Sequence, residues 1–128
     1  MKLKGIHHIA IIVSDYQRSK HFYTEILGLS VIQETYREGR DSYKLDLALN
    51  DHYVIELFSF PAYVPRPSFP EALGLRHLAF AVEDIESWIV KLENQGIKTE
   101  GIRIDEITER KFTFFQDPDG LPLELYES

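Results

Sequence analysis

Two short apolar stretches, each ending in an aspartate, lie near the start of the two halves of the chain. His8–Asp15 reads HIAIIVSD and His77–Asp84 reads HLAFAVED. When the two segments are aligned, every apolar residue of one matches an apolar residue of the other, and every polar residue matches a polar one. Such runs predict β-strands, and an aspartate directly before an amphipathic segment is typical of a helix N-cap. The pattern therefore indicates one structural unit that occurs twice, and an internal repeat governs the interpretation of the whole fold.

An amphipathic helix and then three strands are predicted after each of these stretches. Apolar residues recur at helical spacing in both copies, and Gly28 and Gly96 lie where a left-handed residue would end the helix. The helical stripes are Phe22, Tyr23, Ile26 and Leu27, then Ile85, Trp88, Ile89 and Leu92. The predicted strands are Ser30–Tyr36, Tyr43–Leu49 and Tyr53–Phe58, then Lys98–Ile104, Lys111–Gln116 and Leu121–Tyr126.

The sequence thus predicts an α+β fold of two tandem βαβββ modules within a single domain of 128 residues. Module one covers 1–58 and module two covers 75–128, while the proline-rich segment Ser59–Gly74 links them. The last strands also match, since Val54–Phe58 reads VIELF and Pro122–Tyr126 reads PLELY. We expect the two curled, mixed sheets to pack as pseudo-symmetric halves around a cavity.

Strand alternation divides the repeated strands into two faces. In the first strand Ile9, Ile11 and Val13 share a face suited to helix packing, whereas His8 lies on the opposite face with the small Ala10. The other three strands divide in the same way, with bulky apolar residues on one face. One ionisable side chain lies on the second face of each strand, and the four are His8, Glu56, His77 and Glu124.

Two histidines and two glutamates at duplicated positions predict a divalent-metal site. Taken singly, a strand histidine is more often a hydrogen-bonded core residue, and a strand glutamate usually faces solvent. Together they supply two imidazole nitrogens and two carboxylates, a mixed set that suits Ni, Co, Zn, Mn or Fe. His7 competes with His8, but Arg76 occupies its position in the second copy. We therefore expect His7 to be an ordinary edge or partly buried histidine.

Composition restricts the class of partner. The 14 basic and 21 acidic side chains leave a net charge of −7 with no basic cluster, which disfavours nucleic-acid binding. No apolar stretch approaches the roughly 20 residues that span a bilayer, and the N-terminus does not resemble a signal peptide. There is no cysteine, which excludes disulfides and thiolate ligands. We expect a cytoplasmic protein whose partner is a small molecule, with neither membrane nor nucleic acid involved.

Several segments resemble the vicinal oxygen chelate superfamily, and within it the glyoxalase I-like (lactoylglutathione lyase-like) branch. The resemblance covers nearly the whole chain and implies the glyoxalase/bleomycin-resistance/dihydroxybiphenyl dioxygenase fold. It also implies one metal ion held by the four residues above, with two coordination positions open for substrate oxygens. The segments that carry it are Ile6–Ala10, Phe22–Gly28, Val54–Leu57, Arg76–Ala79 and Gln116–Gly120 with Leu123–Leu125.

The chemistry implied by that branch is proton abstraction next to a carbonyl, with the metal stabilising the enediolate. The resemblance places Glu124 as the catalytic base and Glu56 as its partner carboxylate. It further implies a homodimer, in which each site comes from one chain or from two. The positions that hold glutathione in this branch are Ile12, Phe60 and Leu73 here. A small α-hydroxy or α-keto compound is therefore the expected substrate rather than a glutathione adduct.

Other members of the superfamily provide the alternatives. Epimerases usually have glutamine in place of Glu56, and extradiol dioxygenases and fosfomycin-inactivating transferases use three ligands. Non-catalytic drug-binding and resistance proteins use the fold without a metal and generally lack the ligand set. Three residues on predicted loops are candidate substrate contacts, namely Tyr63, Arg66 and Arg110. A polar residue on a loop is, however, more often simply exposed to solvent.

Overall fold

Each half of the chain forms one four-stranded mixed sheet with one helix, which confirms the predicted α+β class and the two βαβββ modules. The computed structural model describes residues 1–128 and divides into Met1–Val64, called unit 1, and Pro65–Ser128, called unit 2. The boundary between the units lies inside the proline-rich segment that the sequence predicts as a linker.

Unit 1 has the strand order β1-β4-β3-β2. Strand β1 runs parallel to β4, and the other neighbours are antiparallel. Helix α1 (Tyr16–His21) continues as a π-helical segment over Phe22–Ile26, and a 3-10 turn at Glu38–Arg40 joins β2 to β3. The strands are β1 (Ile9–Val13), β2 (Ser30–Arg37), β3 (Ser42–Leu49) and β4 (His52–Ser59).

Unit 2 repeats this arrangement with the strand order β5-β8-β7-β6, and β5 runs parallel to β8. Its helix is α2 (Ile85–Asn94). Neither helix of the chain is long and apolar enough to cross a membrane. The strands are β5 (Leu78–Val82), β6 (Arg103–Ile104), β7 (Lys111–Gln116) and β8 (Pro122–Glu127).

Both predicted helix caps are confirmed. The Asp15 carboxylate accepts a hydrogen bond from the backbone N–H of Arg18 at 3.1 Å, and Asp84 accepts one from Ser87 at the same distance. These bonds satisfy N–H groups that have no partner within a helix. Gly28 and Gly96 follow the helices with φ of 85° and 76°, a conformation that favours glycine.

The core of each unit lies between its helix and one face of its sheet. In unit 1 the predicted packing face is buried except for the half-buried Ile9, and Phe22, Tyr23 and Ile26 of the helical stripe are buried with it. In unit 2 Ile85 and Leu92 are buried against the sheet, whereas Trp88 and Ile89 of the same stripe are half-buried. The opposite face is open, and Ala10, Ile12, Ala79 and Ala81 are exposed there.

The strand predicted over Lys98–Ile104 is wrong in length, because only Arg103–Ile104 pairs with β7. Gly101 has a φ of 96°, and this left-handed conformation interrupts the extended backbone. The preceding segment is still held to β7, since the Glu100 N–H donates to the Phe114 carbonyl at 3.0 Å. The result is a two-residue edge strand that is preceded by an irregular segment.

Candidate metal centre

The parallel pairing of β1 with β4 brings His8 and Glu56 together. Ile9 is paired with Ile55 and Ala10 with Glu56, and His8 directly precedes the strand. The His8 Nε2 atom lies 3.4 Å from Glu56 Oε1. The Glu56 side chain is 11% exposed and that of His8 is 36% exposed. A largely buried carboxylate is therefore presented beside an accessible imidazole.

Unit 2 contains a second pair with the same register, in which Ala79 is paired with Glu124. His77 Nε2 lies 3.1 Å from Glu124 Oε2, and the two side chains are 29% and 12% exposed. The repeat seen in the sequence therefore reproduces both the identity of the donor atoms and their spacing.

The spacing within each pair fits two ligands of one cation. Ligand nitrogen and oxygen atoms lie about 2.0–2.2 Å from a divalent transition metal, so two adjacent ligands are about 3 Å apart. The observed separations of 3.4 Å and 3.1 Å agree with this value. Within either unit no group of three or more potential ligand side chains could hold a metal ion. Each unit by itself thus supplies two of the four predicted ligands.

His7 contacts His8 instead of packing into the sheet. The two Nδ1 atoms are 2.8 Å apart, and both rings lie against Tyr53 with centroid distances of 5.2 Å and 5.4 Å. His7 is exposed and precedes β1, in agreement with the prediction of an edge histidine. The sequence does not predict its contact with His8. A hydrogen bond to the far nitrogen of a ligand histidine commonly fixes the orientation of the ring.

Glu56 lies in a polar cluster that sequence reasoning missed, formed by Lys44, Asp46, Tyr53 and Glu56 and called the Glu56 cluster below. The Tyr53 hydroxyl donates to Glu56 Oε2 and lies 3.0 Å from Asp46 Oδ1. Lys44 Nζ is 3.3 Å from Asp46 Oδ1 and 3.5 Å from Glu56 Oε2. Both carboxylates are buried. The sequence does contain a signal for this cluster, because Lys44 and Asp46 alternate with apolar residues in β3 and therefore share the face opposite the core.

The electrostatics of the Glu56 cluster keep both of its donors protonated. Burial, together with the hydrogen bonds to Glu56 and Asp46, raises the pKa of Tyr53 far above its usual value. Partial burial acts to lower the pKa of Lys44, but the contacts with Asp46 and the charge of Glu56 outweigh it and raise that pKa. The phenol and the ammonium therefore both remain donors to the buried carboxylates.

The surroundings of Glu124 are different. Phe114 is paired with Glu124 in the position where Asp46 is paired with Glu56, and Phe112 replaces Lys44. The Phe114 ring lies edge-on to His77 with centroids 5.1 Å apart. His77 is the only side chain that forms a hydrogen bond or ion pair with the Glu124 carboxylate. The two glutamates of the repeat are therefore not equivalent, because only Glu56 is held by additional donors.

A groove of about 680 Å³ opens beside Glu124 within unit 2. Its wall is shaped by Tyr126, whose hydroxyl donates to Asp105 Oδ2 at 2.9 Å and contacts the Thr108 hydroxyl. The groove is large enough for a small organic molecule. It is lined by Arg103, Ile104, Asp105, Glu106, Ile107, Phe112, Glu124 and Tyr126.

The three candidate substrate contacts on loops do not join the ligand pair of their own unit. Arg66 Nη2 donates to the carbonyl groups of Leu75 and Arg76 at 2.8 Å and 3.0 Å, which is a structural role in its segment. Tyr63 and Arg110 are exposed, and neither side chain forms a hydrogen bond or ion pair with the predicted ligands. A role for them in substrate binding stays a prediction.

We predict that Tyr53→Phe weakens divalent-metal binding about tenfold, the lower end of the effect of removing an outer partner of a ligand. The substitution removes the hydroxyl that donates to Glu56 and leaves the ring contacts with both histidines. Competition with a chromophoric chelator measures the affinity. Tyr36→Phe is the matched control, since it removes a hydroxyl that donates to Asp41 at an exposed position. Equal affinities in both variants would contradict the prediction.

The chain is similar to known proteins over nearly its whole length. The model of the Glyoxalase/Bleomycin resistance protein/Dioxygenase superfamily matches residues 5–125. The uncharacterized protein YaeR of Escherichia coli (strain K12) is 62% identical over 125 residues, which cover 98% of this chain and 97% of that protein. The metallothiol transferase FosB of Staphylococcus epidermidis is 30% identical over 131 residues, covering 97% and 84%. A crystal structure of a glyoxalase family protein from Enterococcus faecalis is 54% identical, with a TM-score of 0.91 and coverage of 99% and 100%.

Proposed function

We propose that this chain, which belongs to the Glyoxalase/Bleomycin resistance protein/Dioxygenase superfamily, is a metal-dependent lyase or isomerase of the glyoxalase type. Its substrate is a small α-hydroxy or α-keto compound, and glutathione is not required. The observation that carries the proposal is the duplicated His–Glu pair, with nitrogen–oxygen separations of 3.4 Å and 3.1 Å.

His8, Glu56, His77 and Glu124 are the proposed ligands of one divalent ion, supplied by one chain or by two. The set of two imidazoles and two carboxylates suits Ni, Co, Zn, Mn or Fe, and two carboxylates balance the charge of the ion. When bound, the metal acts as a Lewis acid that polarises the substrate carbonyl. The active form we propose is a cytoplasmic homodimer, and analytical ultracentrifugation showing one chain per particle would refute the dimer.

Glu124 is proposed as the base that moves the proton. Its carboxylate has no donor other than His77, and the groove beside it can receive the substrate. Phe114 is paired with Glu124 across the sheet, and Phe112 lines the groove, so apolar rings flank one side of the carboxylate. Glu124 would take the proton from the carbon next to the carbonyl and return it to the neighbouring carbon.

Glu56 is proposed as the partner carboxylate, which remains a ligand throughout the reaction. The Tyr53 hydroxyl donates to Oε2, and Lys44 Nζ lies 3.5 Å from the same atom. These donors hold the carboxylate in one orientation with Oε1 directed to His8. A carboxylate held in this way is suited to orient the ion and poorly suited to swing toward substrate.

Thiol transfer to a small molecule is the second candidate function, because FosB is a metallothiol transferase and is 30% identical over nearly the whole chain. The feature that distinguishes the two is the fourth ligand. The fosfomycin-type transferases use three ligands, whereas this chain has a buried carboxylate at Glu56, paired with His8. That pair favours the lyase or isomerase.

A substrate panel on metal-loaded protein tests the proposed function. We expect weak or absent turnover of the methylglyoxal–glutathione hemithioacetal, because Ile12, Phe60 and Leu73 offer no polar group to an anionic tripeptide. We expect metal-dependent exchange of the carbon-bound proton in α-hydroxy aldehydes and ketones, followed by NMR in D₂O. Rapid turnover of the hemithioacetal would refute the exclusion of glutathione. Thiol-dependent opening of fosfomycin without any proton exchange would establish the second candidate.

A further inference from the structure

Arg37 lies on the same face of the unit 1 sheet as the proposed ligand Glu56. It is paired with Ser42 at the end of β2, and Asp46 is paired with Glu56 further along β3. Because side chains alternate along a strand, Ser42, Lys44 and Asp46 share one face, and Arg37 shares it with them. The helix packs on the other face, so Arg37 belongs to the open, ligand-bearing surface.

The guanidinium of Arg37 is positioned by aromatic rings and lacks a counter-ion. Its central carbon lies 5.0 Å from the Phe58 ring centroid and 5.7 Å from that of Phe60, and Nη2 donates to the Ser42 hydroxyl at 2.9 Å. The Nε atom is buried and has no hydrogen-bond partner. No carboxylate lies within ion-pair distance of Arg37, so an unneutralised cation is held in one place beside the proposed site.

Two comparable cations, one in each unit, are already neutralised. Lys44 is paired with Asp46 and Glu56 at 3.3 Å and 3.5 Å. In unit 2, Arg103 also lies over two phenylalanine rings, at 5.0 Å and 5.8 Å, but its Nη1 is 3.0 Å from a carboxylate oxygen of Glu100. Arg37 therefore differs from both, since its remaining donors can bind an incoming anion without displacing a partner.

The position of Arg37 determines how far its guanidinium lies from the proposed metal ligand Glu56. Phe58 lies two residues beyond Glu56 on β4 and on the same face, so its ring is roughly 7 Å from Glu56 along the strand. The guanidinium lies over that ring. A molecule that chelates the ion with two vicinal oxygens would reach Arg37 with a group at the other end of a short aliphatic chain.

We infer that Arg37 binds an oxyanion, either a carboxylate or a phosphate, at the end of the substrate remote from the metal. The planar fork of a guanidinium matches both groups. The inference rests on the proposed function, because it requires an ion at the four ligands. It narrows the substrate class to α-hydroxy or α-keto compounds that carry a second, anionic group.

Calorimetric titration of nickel-loaded protein with matched 2-oxo acids tests the inference. We expect 2-oxoadipate to bind about tenfold to a hundredfold more tightly than 2-oxohexanoate, which has the same chelating head and a neutral tail. Arg37→Gln should abolish this preference and leave the affinity for nickel unchanged. Arg37→Lys keeps the positive charge but lacks the planar guanidinium, so it should retain part of the preference for 2-oxoadipate. The analogue of 2-oxoadipate with a phosphonate tail shows which oxyanion is preferred.

Arg40→Gln is the matched control, because it removes one exposed positive charge from the same unit and should leave the preference intact. Equal binding of the two acids by wild type, a preference that survives in Arg37→Gln, or failure of both acids to bind the loaded protein would each overturn the inference. Wild type that binds no divalent ion would overturn the proposed function as well, whereas loaded protein without the preference overturns only the role of Arg37.

Discussion

Protein with His77→Ala or Glu124→Gln is expected to contain almost no divalent metal, whereas wild type carries about one ion per site. Each substitution removes one atom of a pair whose nitrogen and oxygen are 3.1 Å apart. Loss of an outer partner already weakens metal binding by about 10- to 100-fold, so loss of a ligand itself should weaken it beyond about 100-fold. Elemental analysis after gel filtration, with competition by a chromophoric chelator, measures occupancy and affinity.

Two control variants test whether the loss of metal is specific to the proposed ligands, because each removes a histidine or a carboxylate elsewhere in the chain. His21 and Glu93 are exposed on the helices, so His21→Ala and Glu93→Gln should keep the wild-type metal content. Circular dichroism shows whether the ligand variants remain folded. Wild type without metal and without affinity for Ni, Co, Zn or Mn would contradict the lyase or isomerase and favour a non-catalytic binding protein.

Leu57→Ala and Leu125→Ala are each expected to lower the free energy of unfolding by about 2–5 kcal/mol. The two leucines occupy equivalent positions in β4 and β8 and are 0% and 1% exposed. Truncating a fully buried leucine removes its transfer free energy and leaves a cavity that closely packed neighbours fill only in part. Urea unfolding followed by circular dichroism, with metal removed by a chelator, measures the change without a contribution from the ion.

Leu73→Ala is the control for this stability prediction, because Leu73 is fully exposed and its truncation should change stability by no more than about 0.5 kcal/mol. Losses below about 1 kcal/mol in both core variants would show that the helix-facing surfaces are not the stabilising cores of the units. A large loss in one variant alone would show that only that unit depends on its buried leucine.

The two units retain the same scaffold but differ around the proposed ligands. Unit 1 surrounds Glu56 with Lys44, Asp46 and Tyr53, whereas unit 2 places phenylalanines beside Glu124. The conserved pairing of the strands explains why the His–Glu spacing is similar in both. The divergent residues explain why Glu56 is held by additional donors whereas Glu124 contacts only His77, which is the basis for assigning the two carboxylates different roles.

Sequence by itself determined the features that depend on local periodicity. Alternation in β1 and β5 placed His8 and His77 opposite the packing face, and the caps at Asp15 and Asp84 located the helices. Periodicity of two and the preferences of capping residues act within a few residues, so they can be recognised without knowledge of distant partners. The duplication then related the two His–Glu pairs to each other.

Only the tertiary structure decided which side chains meet across strands. The Tyr53 hydroxyl reaches Asp46 on the neighbouring strand, and Arg37 lies over Phe58, because of strand register and side-chain direction. The short β6 follows from the conformation of Gly101, which overrides the apolar pattern around it. The cross-strand contacts depend on strand register, and neither the hydropathy of a segment nor its composition specifies which side chain of another strand will be its neighbour.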